Sequence, residues 1–158
     1  MKETIFNYLL SVKEEKGAGY IVLIDPDKNS EKKLEEKISK INSSGVDAIF
    51  IGGSLILDNN CESRVSMIKS LSELPVIFFS GGISQLNKHY DAMLFMSILS
   101  GRNPHYLIGE QVVAAPIVKD LGIEVITPSV SSWQAGDSTA LCFVVNADRS
   151  PLMSAVKS

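Results

Sequence analysis

The chain has 158 residues, 45% of them hydrophobic and 21% charged, with a net charge of −3. That is room for one soluble domain with a sizeable core, and the charge gives no basic surface for nucleic acid. The two cysteines, Cys61 and Cys142, form neither a disulfide framework nor a zinc spacing, so a reducing, cytoplasmic setting is expected.

The opening stretch MKETIFNYLLSVKEEKGAGY does not read as a signal peptide, because Asn7 breaks its apolar run and charge follows. No stretch approaches the ~20 apolar residues of a membrane span. Ile5, Tyr8, Leu9 and Val12 recur at helical spacing and predict a helix over 2–16, stopped by Gly17 and Gly19. Tyr20 to Ile24 is a continuous apolar run, as in a strand buried on both faces. Ser30 is placed to cap the next helix, whose Leu34, Ile38 and Ile41 share one face and which ends near Gly45.

Asp47 to Ile51 predicts a second strand, closed by Gly52-Gly53-Ser54. A helix over 62–73 follows, with Val65, Ile68 and Leu71 inward. Val76 to Phe79 is the third strand and ends in Ser80-Gly81-Gly82. Ser84 to Tyr90 predicts a helical turn, and Asp91 to Met96 a fourth strand. Asn103-Pro104 pairs a cap residue with proline at the first helical position. The helix it starts is expected to be the longest, to reach about Leu121 and to stop at Gly122. Glu124 to Thr127 is the fifth strand, and the stretch ALCFVVNADRSP holds material for one more strand and a turn.

Strands alternating with helices predict parallel strands in an α/β fold. Right-handed crossovers then collect the strands' C-terminal ends on one face, where α/β proteins bind ligands. Asp25 stands at the first of those ends. Two readings are open for Asp25-Pro26-Asp27-Lys28: a plain turn whose Asp caps the next helix, or a carboxylate offered to Mg²⁺, which takes one or two carboxylates with phosphate oxygens and water. Gly52-Gly53-Ser54 alone is more simply a tight βα turn; beside Asp25 on the neighbouring strand it gains weight as a close approach for a ligand, with the Ser54 hydroxyl as a hard-metal contact. Gly81-Gly82 is most simply a turn, since no GxGxxG or GK[ST] motif accompanies it. Arg102, just before the capped helix, is either an exposed side chain or an anion contact supported by the helix N-terminus. His89 and His105 have no carboxylate or cysteine at a telling spacing and read as surface or helix-start residues.

Three stretches then carry a resemblance: VLIDPDK, AIFIGGS and DAMLFMSILSGRNPHYLIGEQVVAAPIVKDLGIEVI. They resemble the geranylgeranylglyceryl/heptaprenylglyceryl phosphate synthase family, in register over about Tyr20 to Ile126. The resemblance implies a (β/α) TIM-barrel type fold, of which the chain holds five to six of eight βα units. Residues 1–126 would be the N-terminal part of that barrel and 127–158 a divergent tail with no separate domain. It implies a prenyltransferase that joins a polyprenyl diphosphate to sn-glycerol 1-phosphate as an ether-lipid precursor and requires Mg²⁺. The family's magnesium aspartate falls on Asp25 and its Ser/Thr partner on Ser54. Arg102 is a substrate-binding candidate from its own position, not from the family, and no catalytic residue is assigned. A lipid product also makes peripheral membrane contact an expectation.

The family's F-P-G after the third strand is here Phe79-Ser80-Gly81, and its I-P-T-G-Y is Ile126-Thr127-Pro128-Ser129-Val130. The family's later Y-L-E/D-A-G-S-G loop, which holds the glycerol phosphate, is absent. The expectation is a C-terminally truncated or divergent member, inactive alone. The alternatives are a non-catalytic half-barrel that self-associates as a homo-oligomer to bury its open sheet edge, or another phosphate-binding barrel enzyme. A receiver-like domain would need an Asp after the third strand and a Lys after the fifth, and has neither.

Overall fold

The structure is a computed structural model and describes residues 4–53, 60–79, 82–95, 102–118, 121–126, 134 and 141–146, with 121–126 and 141–146 described as backbone. In chain order the elements are α1 (Ile5–Lys16), β1 (Ile21–Ile24), α2 (Glu31–Asn42), β2 (Ala48–Ile51), α3 (Cys61–Leu71), β3 (Val76–Phe78), β4 (Ala92–Leu94), α4 (Glu110–Val118), β5 (Leu121–Ile126) and β6 (Leu141–Asn146). Short 3-10 turns follow β1 (Pro26–Lys28) and β3 (Ile83–Gln85), and a π turn (His105–Gly109) leads into α4.

The strands form one sheet in the order β1-β2-β3-β4-β6-β5. β1 to β4 are mutually parallel, in a register that sets Ile24 beside Ile51 and Ile51 beside Phe78. Their C-terminal ends therefore lie on one rim, as the alternating pattern predicts. β6 departs from the pattern. It lies between β4 and β5 and runs antiparallel to both. The fifth strand thus does not extend the parallel run beside β4.

Strand alternation separates two apolar layers. Ile24, Ile49, Ile51, Val76, Phe78 and Met93 face Leu34, Ile38 and Ile41 of α2 and Val65 and Ile68 of α3. Ala48, Ile77, Ala92 and Leu94 face the other side, where Ile5, Phe6 and Leu9 of α1 pack. Leu34 and Ile38 are essentially sealed from solvent, each worth about 2 kcal/mol of apolar burial. Phe50 and Phe79 stack at 5.0 Å on the α1 side, and Phe78 meets the buried Tyr90 at 5.0 Å on the other. Burial pushes the Tyr90 phenol far above its ordinary range.

The strand starts are latched by a device used twice. Asp47, just before β2, accepts the Tyr20 N–H at 2.8 Å and pairs with Lys16 at the end of α1. Its own N–H donates to the Tyr20 carbonyl at 2.8 Å. Asp91, just before β4, accepts the Val76 N–H at 2.8 Å and pairs with Lys69 near the end of α3 at 2.6 Å. Its N–H donates back to the Val76 carbonyl at 2.8 Å. The two sites share the sequence Asp-Ala, at Asp47-Ala48 and Asp91-Ala92.

Several boundaries differ from the sequence reading. Ser30 sits at the N-cap of α2, but its side chain makes no capping bond. The turn after β3 is only Ile83–Gln85. The helix after Asn103-Pro104, taken as the π turn continuous with α4, is the longest described, but it ends at Val118, short of Leu121, and Gly122 lies inside β5. The β-branched Ile117 and Val118 at the helix end, like Ile123 and Val125 beyond, favour strand over helix. Positive φ, the conformation that makes glycine a helix stop, occurs at Gly17 and Gly45.

Candidate functional site

Asp25 follows β1 directly, and its side chain is about one-fifth exposed on the rim formed by the C-terminal strand ends. Pro26 fixes the backbone at the first position of the 3-10 turn, and Asp25 caps that turn by accepting the Asp27 N–H at 3.2 Å. The Asp25 carbonyl accepts from Asn29 Nδ2 at 2.9 Å. Lys28 reaches the other carboxylate oxygen at 2.8 Å, and that bond raises the lysine's pKa. Asp27 does not join Asp25; it faces Arg64 of α3 at 3.4 Å, with both side chains largely buried. The turn is thus held by α3, while Asp25 alone of the two carboxylates stays with the rim.

Gly52 and Gly53 close β2 beside it. Gly52 N–H donates to the Ile24 carbonyl at 3.2 Å. A Cβ on Gly53 would stand 3.1 Å from the Asp25 carboxyl carbon and from both of its oxygens. Gly53 is therefore glycine because the carboxylate lies against its backbone. Ser54, the expected second metal ligand, lies outside the described residues, as do Ser80 and Gly81.

The third rim segment is tied to both neighbours. Gln85 Nε2 donates to the Gly53 carbonyl at 3.1 Å, and Ile83 N–H donates to Glu110 Oε2 at 2.7 Å. Glu110 Oε1 also meets His105 Nε2 at 2.6 Å. Asn103 caps as its sequence predicts, accepting the His105 N–H at 3.0 Å. Arg102 is exposed beside this cap and makes no hydrogen bond or ion pair with a described residue.

Gln85 and Glu110 were not legible as rim residues. His105 and Glu110 are five apart, a spacing that an α-helix puts on different faces and that the π turn brings together. Gln85 carried no signal at all beyond its position after a predicted strand.

Among the described residues, no three His, Cys, Asp or Glu side chains gather as a metal cage. The Asp25 carboxylate nevertheless fits a Mg²⁺ held by one protein carboxylate together with phosphate and water oxygens. It has about four acceptor positions and uses two. Lys28, four-fifths exposed on a flexible stem, is free to yield its place. The missing Cβ at Gly53 leaves the carboxylate its room. Among the described residues, no helix is long and apolar enough to cross a membrane.

The PcrB family profile matches residues 10–135. A geranylgeranylglyceryl phosphate synthase of Chitinophaga pinensis is 37% identical over 146 residues, covering 92% of this chain and 58% of that protein. One from Flavobacterium johnsoniae is 40% identical over 141 residues, covering 89% and 58%. Among solved structures, (S)-3-O-geranylgeranylglyceryl phosphate synthase from Thermoplasma acidophilum, in complex with sn-glycerol-1-phosphate, matches with a TM-score of 0.66 and 30% identity over 74% of this chain and 47% of that one. The wild-type enzyme from Thermoplasma volcanium matches with a TM-score of 0.63 and 29% identity, over 87% and 58%. The chain thus spans 58% of the length of the two curated relatives. With β1 to β4 parallel and these structures as neighbours, the fold is α/β of the (β/α) TIM-barrel type.

Proposed function

This chain belongs to the PcrB family, and on that footing we propose that it carries the magnesium–diphosphate side of a prenyltransferase. The reaction is transfer of a polyprenyl group from its diphosphate to sn-glycerol 1-phosphate, forming an ether-lipid precursor. The names of the relatives and the glycerol phosphate bound by the Thermoplasma acidophilum neighbour support this reading. The observation that carries it for this chain is the Asp25 carboxylate, set on the strand-end rim against a backbone that has no side chain at Gly53.

In this reading Asp25 holds Mg²⁺, with the Ser54 hydroxyl as its partner. When bound there, Mg²⁺ supplies the charge that offsets the leaving diphosphate. Arg102 offers a planar donor set to a phosphate oxygen at the edge of the rim. Residues 1–126 form the barrel portion, and 127–158 add no separate domain, a view supported by β6 pairing within the same sheet. The setting is cytoplasmic, with peripheral contact to the membrane that holds the lipid. A second reading, self-association of the partial barrel, is favoured by the β1 edge. Leu23 and Tyr20 there are more than half exposed, and a cleft of about 320 Å³ runs between β1 and α2 past Val22 and Ile41.

The test reads binding. Titration calorimetry with inorganic pyrophosphate, with and without Mg²⁺, is run on the 158-residue chain and on Asp25→Ala. Wild type is expected to bind pyrophosphate only with Mg²⁺, and Asp25→Ala to weaken that binding at least ~10-fold. Equal binding by the two proteins rejects the assignment of Asp25.

A further inference from the structure

We propose that Gln85 is a positioning residue that sets the Asp25 carboxylate through the backbone of Gly53. The inference rests on the reading of Asp25 as a magnesium ligand. Its observations are the contacts that cross the rim from β3 to β2 to β1.

Asp25 is otherwise held by its own turn, through the Asp27 N–H and Lys28. Such contacts fix the carboxylate within its own turn, which Asp27 ties to Arg64 of α3 and not to the end of β2. The contact that crosses to the next strand is Gly53, whose backbone lies against the carboxyl group. Glycine has the widest backbone freedom of any residue, so a wall made of glycine must be held from behind. Gln85 does this, donating from Nε2 to the Gly53 carbonyl at 3.1 Å.

The support is itself anchored independently of Asp25. The turn that carries Gln85 is fixed at Ile83 by Glu110 of α4, and Glu110 is steadied by His105. The amide orientation follows from the partner, since a carbonyl oxygen accepts only the NH₂ end. The other end, Oε1, is buried and accepts from no described residue. Buried polar groups are ordinarily paired at both ends. The donor end is the one that reaches Gly53, at 3.1 Å.

Mn²⁺ serves as the probe, read by loss of the free aquo-ion's paramagnetic resonance signal. The full chain is compared with Asp25→Asn, Gln85→Met, which keeps the stem and loses the donor, and Gln85→Asn, which is one methylene short. Gln85→Met is expected to weaken Mn²⁺ binding about tenfold, with an unchanged far-ultraviolet circular dichroism spectrum. Gln85→Asn is expected to do the same and stands in if Gln85→Met does not fold. In the Asp25→Asn background, Gln85→Met is expected to add nothing. If binding depends on Asp25 and both Gln85 variants bind as wild type, the proposal fails and the Asp25 reading stands. A further loss in the Asp25→Asn background also overturns it, because Gln85 then acts elsewhere. If wild type and Asp25→Asn bind alike, the Asp25 reading fails and this proposal falls with it.

Discussion

Replacing Asp47 by alanine removes the carboxylate that latches α1 and β1 to the start of β2. The side chain is almost fully buried. It accepts one backbone N–H, from Tyr20 at 2.8 Å, and one ammonium, from Lys16. A hydrogen bond to a charged group contributes about 1.5–3 kcal/mol. The Tyr20 side chain is exposed, so its freed N–H finds water, and the lower end, about 1.5 kcal/mol, applies. Lys16 is half exposed, and solvent screening leaves its share out of that figure. The expected drop in melting temperature is about 3–6 °C. Asp47→Asn keeps an oxygen for the Tyr20 N–H and is expected to cost about half as much. The pH dependence has a definite sign. Lys16 and the Tyr20 N–H hold the Asp47 carboxyl below its usual range. Its contribution is therefore complete above the unfolded value of about 3.9 and is lost as pH falls through the lower folded value. Urea midpoints followed by circular dichroism at pH 7 and at about pH 2.5 measure both effects. The gap between wild type and Asp47→Asn should narrow at the lower pH. A loss of less than about 0.5 kcal/mol in Asp47→Ala, or a gap that does not narrow in acid, refutes the reasoning.

Gly17→Ala is expected to cost about 1 kcal/mol. Gly17 caps α1 at φ 81° with nothing near a would-be Cβ, so the cost is backbone strain alone. Gly19→Ala, which meets only Val12 at an ordinary 3.7 Å, should melt with wild type. Self-association across the β1 edge predicts a mass that rises with concentration in light scattering, and a return to monomer in Leu23→Lys. A monomer at every concentration rejects it.

The parallel core was legible because its signals are local. The apolar run before Asp25 and the faces of α2 and α3 follow from periodicity, and the helix start at Asn103-Pro104 follows from capping chemistry. β6 was readable as a strand but not as an antiparallel one between β4 and β5, because strand order is set by pairing partners distant in sequence. Gly122 misled for a different reason: glycine stops a helix through positive φ, and the same residue sits in β5. The place of Asp25 directly after β1 was legible from the apolar run that precedes it. Gln85 and Glu110 were hidden because their roles depend on a π turn and a cross-strand carbonyl, neither of which leaves a spacing in the sequence.

The paired latches at Asp47 and Asp91 have a consequence for how such a chain can diverge. Each fastens the end of a helix and the start of one strand to the start of the next, at the rim opposite Asp25. The fold is clasped from below in two-strand modules, while the upper loops bear little of that mechanical duty. Loops on the Asp25 rim can therefore drift without loosening the sheet beneath them. A module bounded by its own clasp is also a natural unit of transplantation. Residues from the end of α1 through β2, moved together into a related barrel, would carry their closure with them.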